Sequence, residues 1–183
     1  MELHYGLLER RTIHHFSQGA VPEDVLERAL AAAHMAPNHK HTWPWRFIVP
    51  GPVTREQVVS IGVSIKASKK ELTVIEENAI RTKLTAPGAL VVVVQRLEGS
   101  AFTIKEDYAS CACAIQNLQL SAFADGFGTK WSTGGLTRHP DTYALFGLNP
   151  SDDEIVGFVW VGVPKMIPDV KRPVLSALMT RMA

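Results

Sequence analysis

Two short clusters of basic and hydroxyl side chains have the chemistry to bind an anion. Arg10, Arg11 and Thr12 place two guanidinium groups and a hydroxyl at consecutive positions. A phosphate monoester accepts charge-assisted hydrogen bonds from such groups, each worth about 1.5–3 kcal/mol. Lys171 and Arg172 form a second basic pair near the other end of the chain. If the tail folds back onto Arg10, the two clusters form one site for a dianion. Alternatively, each is a solvated surface pair.

No other pattern predicts a metal site or a catalytic side chain. Histidines are frequent in the first quarter of the chain, but none has the H-E-x-x-H or C-x-x-C context of a metal site. Ser110 and Ser132 lack the G-x-S-x-G context of a hydrolase nucleophile. The reaction is therefore expected to depend on the chemistry of a bound cofactor.

The composition favours one globular domain over residues 1–183, because a chain of 183 residues with 46% hydrophobic content can bury a sizeable core. The net charge is +1, and no basic stripe indicates a nucleic-acid or membrane partner. Cys111 and Cys113 lie two positions apart in a predicted helix, where a disulfide does not form easily. The N-terminus lacks the apolar segment of a signal peptide, so we expect a cytoplasmic protein.

A long buried helix is predicted from Tyr108 to Ala124, a run without charge. Glu106 and Asp107 suit a helix N-terminus, and Gly126 suits the residue that ends a helix. At about 1.5 Å per residue, this helix can cross a small domain. Because it is apolar on nearly every face, we expect one side to pack on a sheet and the other against a second subunit.

Shorter patterns predict the elements around this helix. Thr54 and Gln57 resemble a capping box that opens a helix. The runs Ala89 to Gln95 and Ile155 to Val163 have the composition of buried strands. Helices and strands do not alternate strictly as βαβ units, so the predicted fold class is α+β.

Several ordered landmarks, taken together, resemble the nitroreductase family across essentially the whole chain, in particular its compact members. They are Arg10-Arg11-Thr12, Ala36-Pro37-Asn38-His39, Trp43-Pro44-Trp45-Arg46-Phe47, Asp125-Gly126-Phe127-Gly128, and Ile155-Val156-Gly157-Phe158 with Gly162 and Pro164. The resemblance implies an α+β, nitroreductase-like fold with a central, mostly antiparallel sheet flanked by helices. It also implies a homodimer, with the long helix at the interface and FMN held there by both subunits.

The resemblance also implies three groups of FMN contacts. The contacts of the phosphate and ribityl chain are Arg10, Arg11 and Thr12, helped by Lys171 and Arg172. The loop that approaches the isoalloxazine ring from the partner subunit is Pro37, Asn38 and His39. The loop whose backbone lies along the ring is Trp131, Ser132 and Thr133.

Two positions depart from the family pattern. His14 stands where many members have a second basic residue that favours the anionic reduced flavin. The loop from His41 to Trp45 adds an aromatic residue and removes an amide where the common loop reads Asn-x-Gln-Pro-Trp. Together with Trp131, these aromatic groups predict a narrow substrate slot.

The activity implied by the resemblance is that of an FMN-dependent NAD(P)H oxidoreductase. Such an enzyme reduces a small electrophilic acceptor, such as a nitroaromatic or a quinone, by a ping-pong mechanism. Two alternatives stay open: a flavin dehydrogenase or reductase with a dedicated metabolite, and an FMN-binding or sensing protein without catalysis.

Overall fold

The computed structural model describes residues 1–182; the predicted domain over 1–183 also includes Ala183, which lies outside the described residues. The helices and strands are α1 (Leu3–Glu9), β1 (Phe16–Ser17), α2 (Glu23–His34), β2 (Trp45–Ile48), α3 (Pro52–Ala67), α4 (Val74–Thr85), β3 (Ala89–Arg96), α5 (Ala101–Ala124), β4 (Gly128–Ser132), α6 (Pro140–Leu145) and β5 (Asp153–Pro164). Short 3-10 helices span His39–His41, Gly135–Arg138 and Leu175–Ala177. No helix within residues 1–182 combines the length and the apolar character that a membrane span requires.

The sheet is built around β5, which pairs with β3, β4 and β1. β2 pairs with the other edge of β3. All of these strand pairs are antiparallel, and an isolated parallel bridge joins Thr12 to Thr129. The α+β class with a mostly antiparallel sheet is therefore confirmed.

Strand β3 is buried on both faces, which explains its continuous run of valines. Val91 and Val93 belong to the same core cluster as Ile115 of α5. Val92 and its neighbours on the opposite face pack in a second cluster with Val58 of α3. The sheet therefore lies between a layer that contains α5 and a layer that contains α3.

The central helix is longer than predicted. It begins at Ala101, where the hydroxyl of Ser100 accepts a hydrogen bond from the backbone N–H of Thr103 at 3.1 Å. Glu106 and Asp107 therefore lie inside the helix and do not mark its N-terminus. The sequence pattern was misleading because a few charged residues do not end a helix whose other side is buried.

The predicted capping box is also misplaced. Helix α3 begins at Pro52 after Gly51, without a side-chain cap, so the box at Thr54 and Gln57 is wrong. Proline is pre-organised for the first helical position and starts the helix earlier. The structure has its capping box at the start of α4, where the backbone N–H of Glu76 donates to the hydroxyl of Thr73 at 3.3 Å.

Candidate functional site

Arg10 lies at the end of α1 with part of its guanidinium group out of water. The backbone N–H of Arg10 donates to the carbonyl oxygen of Gly6 at 3.1 Å, which closes the helix. Its Nη1 is buried and has no hydrogen-bond partner among residues 1–182. Burial, followed by the charges of Arg172 and Arg11, lowers the pKa of Arg10. A buried charged donor without an acceptor is costly, so this geometry favours the binding of an anion.

The neighbouring basic residues are placed differently. Nη1 of Arg11 donates to the carbonyl oxygen of Leu8 at 2.5 Å, so this guanidinium group holds the last turn of α1. Arg172 is exposed in the tail, yet close enough for its charge to act on Arg10. Lys171 is also exposed, and no hydrogen bond or ion pair joins it to another residue of the described chain. The structure thus brings Arg10, Arg11 and Arg172 close enough for their charges to interact, and Lys171 precedes Arg172 in sequence.

A cavity of about 350 Å³ opens beside Arg10. Phe123 near the end of α5 and Gly128 at the start of β4 form part of its wall. A Cβ atom at Gly128 would approach the side chain of Ile13 to 2.5 Å, so glycine permits the close packing of these two segments. Thr12 precedes Ile13, and the backbone of Thr12 forms a parallel bridge with Thr129 of β4. The anion site therefore continues into a space that is larger than a phosphate requires.

Asn38 is the centre of a hydrogen-bond network that joins the loop after α2 to α5. Its Nδ2 donates to Oγ1 of Thr42 at 3.0 Å and lies 3.4 Å from Oδ1 of Asp107. Its Oδ1 accepts from the backbone N–H of Trp43 at 2.7 Å. The hydroxyl of Thr42 donates to Oδ1 of Asp107 at 2.5 Å. Asp107 is only 3% exposed, and its role was missed because the sequence pattern placed it at a solvated helix end.

The backbone of this loop is strained. Lys40, His41 and Trp43 have φ values of 60°, 53° and 48°, in the left-handed region that side chains disfavour. Such conformations persist where the surrounding contacts hold them, here the Asn38 network and the stacking of His41 on Trp43, with ring centroids 5.3 Å apart. His39 is exposed, and its Nδ1 lies 3.0 Å from a carboxylate oxygen of Glu106. The exposed residues Pro37 and His39 are therefore presented on a fixed loop.

The indole of Trp131 packs against the backbone of the neighbouring strand β5. Its Nε1 donates to the carbonyl oxygen of Val156 at 3.2 Å, and its indole lies over the backbone of Gly157. Side chains alternate along a strand, so Trp131 packs against the α5 side of the sheet. Ser132 faces the opposite side of the sheet, where its Oγ accepts from Nε1 of Trp160 at 3.0 Å. Thr133 follows the strand and is exposed.

A second cavity, also about 350 Å³, lies at the Ser132 end of β4. Its lining includes Lys66, Lys69, Lys83 and Lys130. Sequence reasoning did not identify these lysines, because they come from separate elements and only the fold brings them together. No spacing pattern indicates such a group.

The loop from Pro37 to His39 is remote from Arg10 in one chain. Nδ2 of Asn38 lies 3.3 Å from Oγ of Ser110, whereas the cavity beside Arg10 is lined by Phe123. Both Ser110 and Phe123 belong to α5, and at about 1.5 Å per residue they are separated by roughly 20 Å along the helix. A single chain therefore does not bring these two predicted parts of the site together.

Comparison with known proteins agrees with this architecture. The chain matches the Nitroreductase family over residues 7–163. A protein of Bacillus subtilis (strain 168) with the provisional name NAD(P)H nitroreductase YfhC is 34% identical over 168 residues, which cover 89% of this chain and 84% of that protein.

Solved structures extend the similarity to three dimensions. The crystal structure of a nitroreductase-like family protein from Bacillus cereus has a TM-score of 0.86 at 27% identity and covers 100% of this chain and 96% of its own. A Desulfovibrio desulfuricans structure, described as a nitroreductase in complex with FMN, has a TM-score of 0.76 at 18% identity and covers 100% of this chain and 98% of its own. At that identity it shows the shared fold alone. The family match covers residues 7–163, and the Bacillus subtilis relative is 34% identical to the chain. The chain therefore belongs to the nitroreductase family.

Proposed function

We propose that the chain is an FMN-dependent NAD(P)H oxidoreductase that reduces small electrophilic acceptors such as nitroaromatics or quinones. The observation that carries this proposal is the buried Nη1 of Arg10, which lacks a partner within residues 1–182 and lies near Arg172. A terminal phosphate supplies the missing acceptor and two negative charges. The names of the relatives support the choice, since one contains NAD(P)H and another contains FMN.

The arrangement of groups along β4 supports an extended cofactor on this strand. Gly128 and Thr129 line the cavity beside Arg10, whereas Lys130 and Ser132 line the second cavity. At about 3.3 Å per residue, the strand leads from one cavity to the other over roughly 13 Å. FMN carries its phosphate and its ring at opposite ends of a ribityl chain. We therefore assign the phosphate to the Arg10 end of β4 and the ring to its Ser132 end.

The side chains of the protein bind and orient the cofactor and are not expected to react. When bound, FMN supplies the hydride and electron transfer. Arg10, Arg172 and the hydroxyl of Thr12 hold the phosphate, with Lys171 adding positive charge, and Arg11 fixes the end of α1 that carries Arg10. The backbone from Trp131 to Thr133 lies along the ring. Because one ring serves the reductant and the acceptor in turn, ping-pong kinetics are expected.

We propose that the active form is a homodimer, because each chain holds only part of the FMN site. The roughly 20 Å along α5 between Ser110 and Phe123 supports the idea that Pro37, Asn38 and His39 reach the cofactor bound by a second chain. Large apolar side chains are also exposed on the single chain, in α1 and in the tail: Leu3, Leu7, Leu8, Ile167, Leu175 and Leu178. An exposed apolar surface of this kind favours an obligate interface, with more than about 2,000 Å² buried in total.

A cytoplasmic location is part of the same proposal. Cys111 and Cys113 are both free, with Cys111 buried and Cys113 exposed on the single chain. Free thiols of this kind are usual in a reducing compartment. Fractionation of cells that express the protein, with detection in the soluble cytoplasmic fraction, tests this assignment.

The absorbance spectrum of the purified protein tests the activity. We expect about one FMN per chain, bleaching by NADH or NADPH without oxygen, and recovery of the oxidised spectrum when a nitroaromatic or a quinone is added. Steady-state data should give parallel double-reciprocal lines, and light scattering should give the mass of a dimer. A colourless protein that does not take up FMN would overturn the proposal. A yellow protein that neither nucleotide bleaches would identify the non-catalytic alternative.

A further inference from the structure

A third cavity, of about 430 Å³, lies where the start of β3 meets the first turns of α2 and α3. Most of its wall is apolar, and the larger apolar side chains are Val21, Leu26, Val49, Val59 and Leu90. Within the described chain it shares no lining residue with the cavity beside Arg10, and only Leu84 with the cavity at the Ser132 end of β4. It is therefore a separate space from the two cavities assigned to the flavin.

The turn that forms one wall of this cavity, Pro87 and Gly88, is held from two sides. A Cβ atom at Gly88 would clash with the carbonyl oxygen of Gly19, so glycine allows these two loops to pack closely. From the other side, Nη1 of Arg55 donates to the carbonyl oxygen of Gly88 at 2.8 Å, and Nη2 donates to that of Pro87 at 2.6 Å. The shape of the cavity is therefore fixed by contacts within the chain.

Arg55 brings a positive charge into this apolar wall. Its side chain is half-buried, and burial lowers the pKa of Arg55. The two carbonyl oxygens accept hydrogen bonds but carry no net charge, and within residues 1–182 no carboxylate oxygen lies within 4.0 Å of this guanidinium group. A guanidinium group has five N–H donors. Arg55 can therefore donate to an anion while it holds the turn, and the anion would offset the cost of its burial.

The two carboxylates at the cavity limit which anion fits. Glu23 and Glu56 both line the cavity and are exposed. Glu56 lies 2.9 Å from a guanidinium nitrogen of Arg81, which neutralises it. Glu23 has no cation within 4.0 Å among the described residues, so its negative charge remains. Glu23 repels a ligand with two negative charges more strongly than a ligand with one.

We propose that this cavity binds a small monocarboxylate with an apolar body. The carboxylate lies on Arg55, and the apolar body packs against Val59 and Leu90, which are both buried core residues. Ligand pockets usually have volumes of about 300–1,000 Å³ and combine an apolar wall with a few polar groups, as this cavity does. The site is separate from the proposed cofactor site and does not require FMN.

Nitrogen–proton NMR spectra of the purified protein, titrated with hexanoate and with the neutral hexanamide, test this inference. We expect both compounds to shift the amide resonances of Gly88 and Leu90, which line the cavity. Hexanoate should bind about tenfold more tightly, because its hydrogen bonds to Arg55 are charge-assisted. The amide resonances of Gly126 and Gly134, which line the two cavities assigned to the flavin, should stay in place.

Two variants separate the charge of the site from its space. Arg55→Gln should remove most of the preference for hexanoate and leave the affinity for hexanamide nearly unchanged. Thr85→Trp places a large side chain in the cavity from the exposed end of α4 and should abolish the binding of both compounds. Because Arg55 also holds Pro87 and Gly88, Thr85→Trp keeps the inference testable if Arg55→Gln does not fold.

A third variant should act in the opposite direction. Glu23→Gln removes a like charge from the rim and should strengthen hexanoate binding by about threefold, without a change for hexanamide. The matched control is Arg96→Gln, which removes an exposed guanidinium group 3.4 Å from Glu98 and should leave both affinities unchanged.

The inference is overturned if hexanoate leaves the resonances of Gly88 and Leu90 in place, or if the wild-type protein binds the acid and the amide equally. A folded Arg55→Gln that keeps the preference, or a Thr85→Trp that binds both compounds as the wild type does, also overturns it. Any of these results at one FMN per chain contradicts the carboxylate site alone. A protein that prefers hexanoate but takes up no FMN contradicts the proposed cofactor and leaves the carboxylate site supported.

Discussion

Two polar clusters lie at opposite ends of α5 and differ in how their hydrogen-bonding groups are satisfied. Near the C-terminal end, Arg10 has a buried Nη1 without a partner in the described chain, and the charge of Arg172 acts on it. Near the N-terminal end, Asn38 donates to Thr42 and accepts from the backbone of Trp43, while the hydroxyl of Thr42 donates to Asp107. In the first cluster a buried charged donor lacks an acceptor, whereas the hydrogen bonds of the second cluster are made within the chain.

This difference assigns distinct tasks to the two clusters. A buried charged donor without an acceptor is stabilised by an anion from outside, so the Arg10 cluster is suited to anion binding. The Asn38 network holds a loop with three residues of positive φ in place before any ligand arrives. Such a loop presents Pro37 and His39 at low entropic cost, which is what a contact with a second subunit and its cofactor requires.

The largest effect is expected for Arg10→Ala. Removal of a charged donor from the phosphate should weaken FMN binding by about 100-fold, because charged hydrogen bonds are worth about 1.5–3 kcal/mol each. Thr12→Ala removes a neutral hydroxyl and should weaken binding by only about fivefold. Quenching of flavin fluorescence during titration of the apoprotein measures both dissociation constants.

The stability of the apoprotein sharpens this prediction. Without FMN, Arg10→Ala should be as stable as the wild type or more stable, since the buried Nη1 has no partner to lose. The matched control is Arg96→Ala, which removes an exposed guanidinium group 3.4 Å from Glu98 and should not change FMN affinity. If Arg10→Ala binds FMN with the affinity of the wild-type protein, the proposed role of the Arg10 cluster in phosphate binding is wrong.

A smaller effect, on stability, is expected for Asp107→Asn. The substitution replaces the buried carboxylate that accepts from Thr42 with an amide, and should lower the free energy of unfolding by about 1–3 kcal/mol. Urea unfolding at one fixed protein concentration measures the change. The control is Glu106→Gln, which alters the partner of the exposed His39 and should cost less than about 1 kcal/mol. Equal stability of Asp107→Asn and the wild type would show that the network does not hold the loop.

The smallest effect concerns the reactivity of the two cysteines of α5, one of which lies next to the Asn38 network. Burial, followed by the Asp107 carboxylate, raises the pKa of Cys111 to about 12. At pH 8 only about one such thiol in 10⁴ is ionised, so Cys111 should not react with a disulfide reagent, and its reactivity should rise only as the pH approaches 12. Cys113 is exposed on the single chain and should be protected only if a second chain covers α5.

Titration of thiols with a chromogenic disulfide reagent distinguishes these cases. In the native dimer we expect neither cysteine to react rapidly, and both to react after denaturation. Rapid reaction of one thiol in the native protein, at the rate of a free cysteine, would contradict burial of this face of α5 in the interface.

The sequence predicts the fold class and the core well because these depend on periodicity. The valine run of β3 and the apolar run of α5 are visible without a structure, since β3 is buried on both faces and α5 buries one whole face against the sheet. The start of α5 was not predictable in the same way, because its first turns are amphipathic and their charges resemble a helix end. The capping pattern at Thr54 was overridden by Pro52, which begins α3 one turn earlier.

The site is less visible in the sequence because it depends on contacts between distant segments. Arg10 and Thr12 could be named from their types and spacing, whereas the role of Asp107 follows only from the fold of the loop after α2. The packing of the Trp131 indole on the α5 side of the sheet depends on the alternation of β4 and its pairing with β5, which the sequence does not specify. The cavity lysines come from separate elements and share no motif.

A paired titration of the apoprotein with FMN and riboflavin tests the central claim most directly, since these ligands differ only in the phosphate. If the Arg10 cluster holds that phosphate, FMN should bind at least about 100-fold more tightly than riboflavin, and Arg10→Ala should remove most of the difference. Equal affinities of the wild-type protein for FMN and riboflavin would contradict the account.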